Sequence, residues 1–128
     1  MPAPLQITQR STAGVAVLEM GGQLVADEGD AAFKAQVGAL VAAGCRSVLL
    51  DLSKVAYMDS GGAGVLAATY MHVARRGGAL KLLRPSERVC RVLQITHLLS
   101  VFEVFDDEQT AMRSFASPSG ARSAGPLP

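Results

Sequence analysis

The stretch Ser47–Leu66, SVLLDLSKVAYMDSGGAGVL, constrains the fold more than any other part of the chain. Ser47–Leu52 is a nearly unbroken apolar run, the pattern of a strand buried on both faces. It leads through Ser53–Ser60 into Gly61-Gly62-Ala63-Gly64. Val65, Leu66, Thr69, Tyr70 and Val73 then recur on one helical face until Gly77-Gly78 ends the segment. A strand covered on both sides that feeds a helix through a glycine turn belongs to a largely parallel α/β sheet with right-handed crossovers.

The flanking sequence extends this pattern. Leu5–Gln9 alternates apolar and polar residues like an edge strand, and Thr12-Ala13-Gly14 supplies a turn into Val15–Met20, a second strand closing an antiparallel hairpin. Gly21-Gly22 is expected to end that strand, leaving Gln23, Leu24 and Val25 in a loop. Asp27 or Asp30 is placed to cap a helix whose apolar stripe is Phe33, Val37, Leu40 and Val41, with Gly44 as its stop. Ala79–Leu83 is another strand, Pro85-Ser86 opens a helix carrying Val89, Val92, Leu93 and Thr96, Val101–Phe105 alternates as a strand, and a last helix runs over 107–115. The order is β-β-α-β-α-β-α-β-α: a mixed, mostly parallel sheet, an N-terminal antiparallel hairpin and about four α-helices. One domain is expected over residues 1–116. The tail 117–128, SPSGARSAGPLP, has too little apolar content to pack and is expected to be disordered.

Composition removes several classes of function. A formal net charge of +1 leaves no electrostatic footprint for nucleic acid or an acidic membrane surface. Trp is absent and aromatic residues make up 5%, too few for a base-stacking platform. No apolar run approaches the roughly 18 residues of a membrane span, and the N-terminus lacks a signal-peptide core, so a cytoplasmic location is expected. Cys45 and Cys90 stand alone in apolar contexts, expected as reduced thiols. The two histidines, His72 and His97, and the scattered carboxylates show no zinc or calcium spacing. No metal and no bound cofactor are expected.

The chemistry concentrates at Asp59-Ser60. Ser60 is expected at or just before the first turn of the helix, where its hydroxyl can cap backbone N–H groups. A phosphate on the same oxygen would meet the positive end of the helix dipole, and the glycines leave the approach open. The plainer alternative is that Ser60 is only an N-cap and the glycines only turn chemistry. Enzymatic alternatives fail on context. Gly62-Ala63-Gly64-Val65-Leu66-Ala67 fits a dinucleotide fingerprint, but Leu82, Leu83 and Arg84 stand where an acidic ribose ligand belongs. A nucleophile elbow around Ser60 would need glycines where Met58 stands, and neither histidine carries a signature of a base. The chain is not expected to be an enzyme.

VLLDLSKVAYMDSGGAGVL, followed by GGALKLLRPSERVCRVLQITHLLSVFEVFDDEQTAM, resembles a STAS domain of the anti-sigma factor antagonist group over about residues 5–115. The resemblance implies a STAS-like α/β fold. That family's motif, Asp-Ser-(Ser/Thr)-Gly-Leu-Gly, falls on Asp59-Ser60-Gly61-Gly62-Ala63-Gly64, so Ser60 matches the residue that accepts phosphate. Gly61 and Ala63 depart from the motif. The early loop Gly-Glu-Leu-Asp matches Gly22-Gln23-Leu24 and departs at Val25, with Asp27 as a later carboxylate.

The resemblance further implies a partner switch. The unphosphorylated chain would bind an anti-sigma factor that is also a serine kinase, through Gln23, Leu24, Asp27, Asp59, Ser60, Gly61, Gly62, Ala63 and Gly64, and phosphorylation of Ser60 would release it. ATP and Mg²⁺ would belong to the kinase. An alternative from another class is a constitutive scaffold or adaptor in a signalling or transport assembly, with Leu98-Leu99 and Val101-Phe102 as an oligomer surface. Monomer, homodimer and larger assembly all stay open.

Overall fold

The computed structural model describes residues 4–25 and 28–116. Its elements are β1 (Gln6–Thr12), β2 (Val15–Leu24), α1 (Glu28–Ala42), β3 (Ser47–Met58), α2 (Ser60–Arg75), β4 (Ala79–Leu83), α3 (Glu87–Ile95), β5 (Val104–Phe105) and α4 (Glu108–Ala116), with a 3-10 turn at Leu99–Val101. The five strands lie in chain order in one sheet. β1 and β2 pair antiparallel, and every later pair is parallel. This is the α/β arrangement expected from the sequence.

Strand order equal to chain order, with crossovers of one hand, puts the connecting helices on the same face of the sheet. Strand residues therefore divide by parity. Leu18, Met20, Val48, Leu50, Leu52, Leu80 and Leu82 meet Phe33, Val37, Leu66, Val73, Val89 and Leu93 from α1, α2 and α3. Val15, Val17, Leu49 and Leu83 point the other way and meet Ala111 of α4. Burial on both faces is why β3 reads as an unbroken apolar run.

Several charged strand residues sit on the α4 face. Asp51 is buried, its carboxylate accepting from the Ser53 N–H at 3.0 Å and from Arg84 at 3.3 Å. Lys81 is also buried, its ammonium 2.9 Å from Ser114 Oγ and 4.6 Å from the Phe115 ring centroid. Arg10 on β1 donates to Glu19 on β2 and to Glu108 on α4, and those two hydrogen bonds push its pKa up. Asp107 caps α4: hydrogen bonds from the Thr110 N–H and hydroxyl hold its carboxyl below the usual carboxylate range. Its contribution to α4 is present above the unfolded carboxylate pKa and is lost as the pH falls through the lower, folded one.

Several expected boundaries move. β2 does not end at Gly21-Gly22 but runs on to Leu24, with register irregularities on either side of that pair and Gly22 at φ +89°. Gln23 and Leu24, expected in a loop, pair with Tyr57 and Met58. β3 correspondingly extends six residues past Leu52. The expected strand at Val101–Phe105 shrinks to Val104–Phe105, because Val101 closes the 3-10 turn. Phe102 is buried and meets the Tyr70 ring edge-on at 5.3 Å, while Leu98 and Leu99 are half-buried against the core, so this region is spent mainly on packing. Cys45 and Cys90 are free and half-buried, and burial pushes the Cys90 thiol up. Asp27 and the tail 117–128 lie outside the described residues.

Phe33 is fully buried and is the largest side chain that α1 contributes to the core. Phe33→Ala is expected to lower the unfolding free energy by about 3–5 kcal/mol, read as a shifted urea midpoint with an unchanged slope.

Candidate functional site

The carboxyl ends of β2 and β3 lie side by side, and α2 starts directly above them. Asp59 links β3 to α2. Its backbone is extended (φ −105°, ψ 179°), and its carboxylate accepts from the Gly62 N–H at 2.8 Å. Its carbonyl accepts the first helical bond, from Ala63 N, at 3.0 Å. Asp59 is therefore the N-cap, and the expectation that Ser60 fills that role is corrected. An aspartate one residue earlier reaches the third amide of the helix with the geometry a serine cap would have used.

With the cap filled, Ser60 becomes the first residue of α2 and is exposed. Among the described residues its hydroxyl makes no hydrogen bond. The N–H groups of Ser60 and Gly61 lie in the opening turn, where an α-helix provides no internal acceptor. An anion on Ser60 Oγ would thus meet the positive end of a helix 16 residues long.

The glycines have separate roles. A Cβ at Gly62 would lie 2.1 Å from the Leu24 carbonyl oxygen and 2.8 Å from its carbon, so the helix can seat on the end of β2 only with glycine there. A Cβ at Gly64 would meet nothing within 4 Å. The expected site residues consequently separate by depth. Leu24, Gly62 and Ala63 are buried and form the foundation. Ser60 and Gly64 are exposed, and Gln23, Asp59 and Gly61 are half-buried.

Tyr57 joins this surface without having been expected there. It pairs with Gln23 across the sheet and is 39% exposed, an aromatic ring at the same strand ends as Ser60. Sequence alternation would have placed Tyr57 with the buried Val55; instead, in Val55-Ala56-Tyr57-Met58 only the outer two side chains are buried, a break in period two that the sequence does not signal. His72 stands 12 residues along α2 from Ser60, about 18 Å at helical rise, too far to act as its base. Among the described residues no group of three or more metal-ligating side chains gathers, and no helix is long and apolar enough to cross a membrane.

Comparison with known proteins adds a family to this geometry. The family model described as "STAS domain" matches residues 6–111. An anti-sigma F factor antagonist of Paenibacillus polymyxa is 26% identical over 108 residues, 84% of this chain and 92% of that protein. An anti-sigma-B factor antagonist of Bacillus subtilis is 43% identical over 53 residues, 41% of this chain and about half (49%) of that one. The crystal structure of an anti-sigma factor antagonist from Mycobacterium paratuberculosis superposes with a TM-score of 0.76 at 25% identity, covering 91% of this chain and all (100%) of that one.

Two glycine variants separate foundation from surface. Gly62→Ala is expected to destabilise the domain, since the added methyl runs into strand backbone that cannot swing aside. Gly64→Ala is expected to stabilise it by up to about 1 kcal/mol, because alanine is the better helix former in open space. Opposite shifts in melting temperature are the readout.

Proposed function

The chain belongs to the STAS domain family, and from that premise we propose that it is an anti-sigma factor antagonist switched by phosphorylation at Ser60. Its partner is an anti-sigma factor that is also a serine kinase. In the unphosphorylated state the partner docks on the strand ends and the start of α2, and its capture releases a sigma factor for transcription. This chain is ligand and phosphate acceptor; ATP and Mg²⁺ are bound by the kinase.

One observation carries the proposal: Asp59 supplies the helix cap, so the Ser60 hydroxyl is exposed and its modification costs no hydrogen bond among the described residues. Each step has a physical cause. The opening turn of α2 tolerates an anion through its N–H groups and dipole. A phosphoserine carries about −1.5 to −2 charges, beside the carboxylate of Asp59. A partner shaped to the neutral surface then meets like charge and a strongly hydrated group. A loss of ~3 kcal/mol changes affinity about a hundredfold, enough to reverse occupancy without a change of fold. Gln23 and Tyr57 pair at the strand ends where α2 starts and are assigned to the same surface. The buried Leu24, Gly62 and Ala63 are assigned to holding it in shape. Asp27 keeps its place as a candidate carboxylate of that surface.

The test joins chemistry to binding. A pull-down from native cells with the wild-type chain as bait is expected to recover an anti-sigma factor, which phosphorylates Ser60 alone when purified and supplied with ATP and Mg²⁺; peptide mass spectrometry locates the phosphate. Ser60→Ala is expected to bind that partner and take no phosphate, and Ser60→Asp to bind about a hundredfold more weakly. Phosphate on another residue, or equal affinity of the Ser60→Asp variant, overturns the switch.

A further inference from the structure

A groove of about 370 Å³ lies between α1 and α2, lined by Lys34, Val37, Gly38, Ala68, Thr69 and His72. We infer that it is the second half of the docking surface and receives an apolar side chain flanked by a carboxylate from the anti-sigma factor. The inference rests on the function proposed above and adds to it a second anchor and the chemistry of what fills it.

The floor of the groove is carbon. Val37 and Thr69 are 1% and 5% exposed, and the Thr69 hydroxyl is turned back into its own helix, donating to the Val65 carbonyl at 2.8 Å. Water in the groove therefore meets few polar groups, and an aliphatic or aromatic side chain replaces it favourably. The groove is open because its two walls carry the smallest side chains. A Cβ at Gly38 would meet nothing within 4 Å, and the facing Ala68 is exposed.

The rim supplies charge. Lys34 stands on the α1 wall, and on α2 the exposed Arg75 lies one turn beyond His72, a polar, half-buried lining residue. A cationic margin around an apolar floor is complementary to an amphipathic segment carrying an acidic residue beside its apolar anchor. The same charge sign links the groove to the switch, since an acidic partner is the kind that a phosphate on Ser60 repels.

Position makes the two parts continuous. Ala68 lies eight residues from Ser60 on the same helix, about 12 Å along its axis. A partner seated on the opening turn of α2 and following that helix reaches the groove inside the span of one ordinary protein interface.

The probe is the purified anti-sigma factor recovered with the wild-type bait, titrated calorimetrically against Gly38→Leu, Ala68→Leu, Lys34→Glu and Ser60→Asp. Gly38→Leu, where a Cβ meets nothing within 4 Å, and Ala68→Leu, at an exposed position, fill the groove from opposite walls, so their melting temperatures are expected to match or exceed wild type while affinity falls at least tenfold. Lys34→Glu is expected to weaken binding and flatten its salt dependence. Wild-type binding that Ser60→Asp lowers and both groove fillers leave unchanged overturns the groove and leaves the switch standing. A wild-type homodimer in light scattering that Gly38→Leu dissociates, with anti-sigma factor affinity unchanged, also overturns it by naming a second copy as the occupant. Failure of the wild-type chain to bind any anti-sigma factor overturns the groove together with the proposed function.

Discussion

The contact between Gly62 and the backbone of Leu24 determines where α2 begins, and with it where every exposed group of the candidate site stands. A Cβ at position 62 would overlap the Leu24 carbonyl, so the helix descends onto the strand end only because hydrogen occupies that place. Leu24 in turn is held by pairing with Met58 on β3 and by full burial of its side chain. The start of the helix is fixed from below by a strand that has itself been fixed from the side. A site built this way fixes where the Ser60 side chain leaves the backbone without a bond to its hydroxyl among the described residues.

That arrangement separates stability from signalling at adjacent residues. Asp59 spends its carboxylate on the Gly62 N–H and its carbonyl on the Ala63 N–H. Ser60, next in the chain, spends its hydroxyl on nothing among the described residues. Capping and modification on a single serine would have opposed each other, since a phosphate added to a cap breaks the bond that orders the turn. Giving the cap to aspartate removes the conflict. It also leaves a carboxylate beside the acceptor, which sharpens the electrostatic contrast between the two states.

The far face of the sheet follows a different rule. Among the described residues one short helix covers it, and charged residues collect there: Arg10, Glu19, Asp51 and Lys81 on the strands, with Arg84 just past β4. Arg10 ties β1, β2 and α4 together through Glu19 and Glu108, and Lys81 lies under α4 against Ser114 and the Phe115 ring. These polar ties hold α4 where the apolar contact is limited mainly to Ala111, Met112 and Phe115. The face bearing α1, α2 and α3 is closed by a much larger apolar cluster, and the candidate docking surface belongs to that firmer side.

Periodicity in the chain was sufficient for the element types and their order, because alternation of two and spacing near 3.6 are local properties that survive in any tertiary setting. The Asp-Ser-glycine turn was equally legible, since its residue types carry their backbone preferences with them. Sequence alone also placed Ser60 at the helix mouth. It could not say that β2 passes through Gly21-Gly22 to Leu24: paired glycines ordinarily end a strand, and here the parallel partner β3 and a positive φ at Gly22 carry it on. Nor could it say which of Asp59 and Ser60 caps the helix, because both are good caps and the choice depends on where β3 releases the chain. The exposure of Tyr57, the burial of Gly62 and Ala63, and the groove between α1 and α2 belong to the tertiary structure as well. Each arises from the distance between segments remote in sequence, a quantity that local residue preferences do not encode.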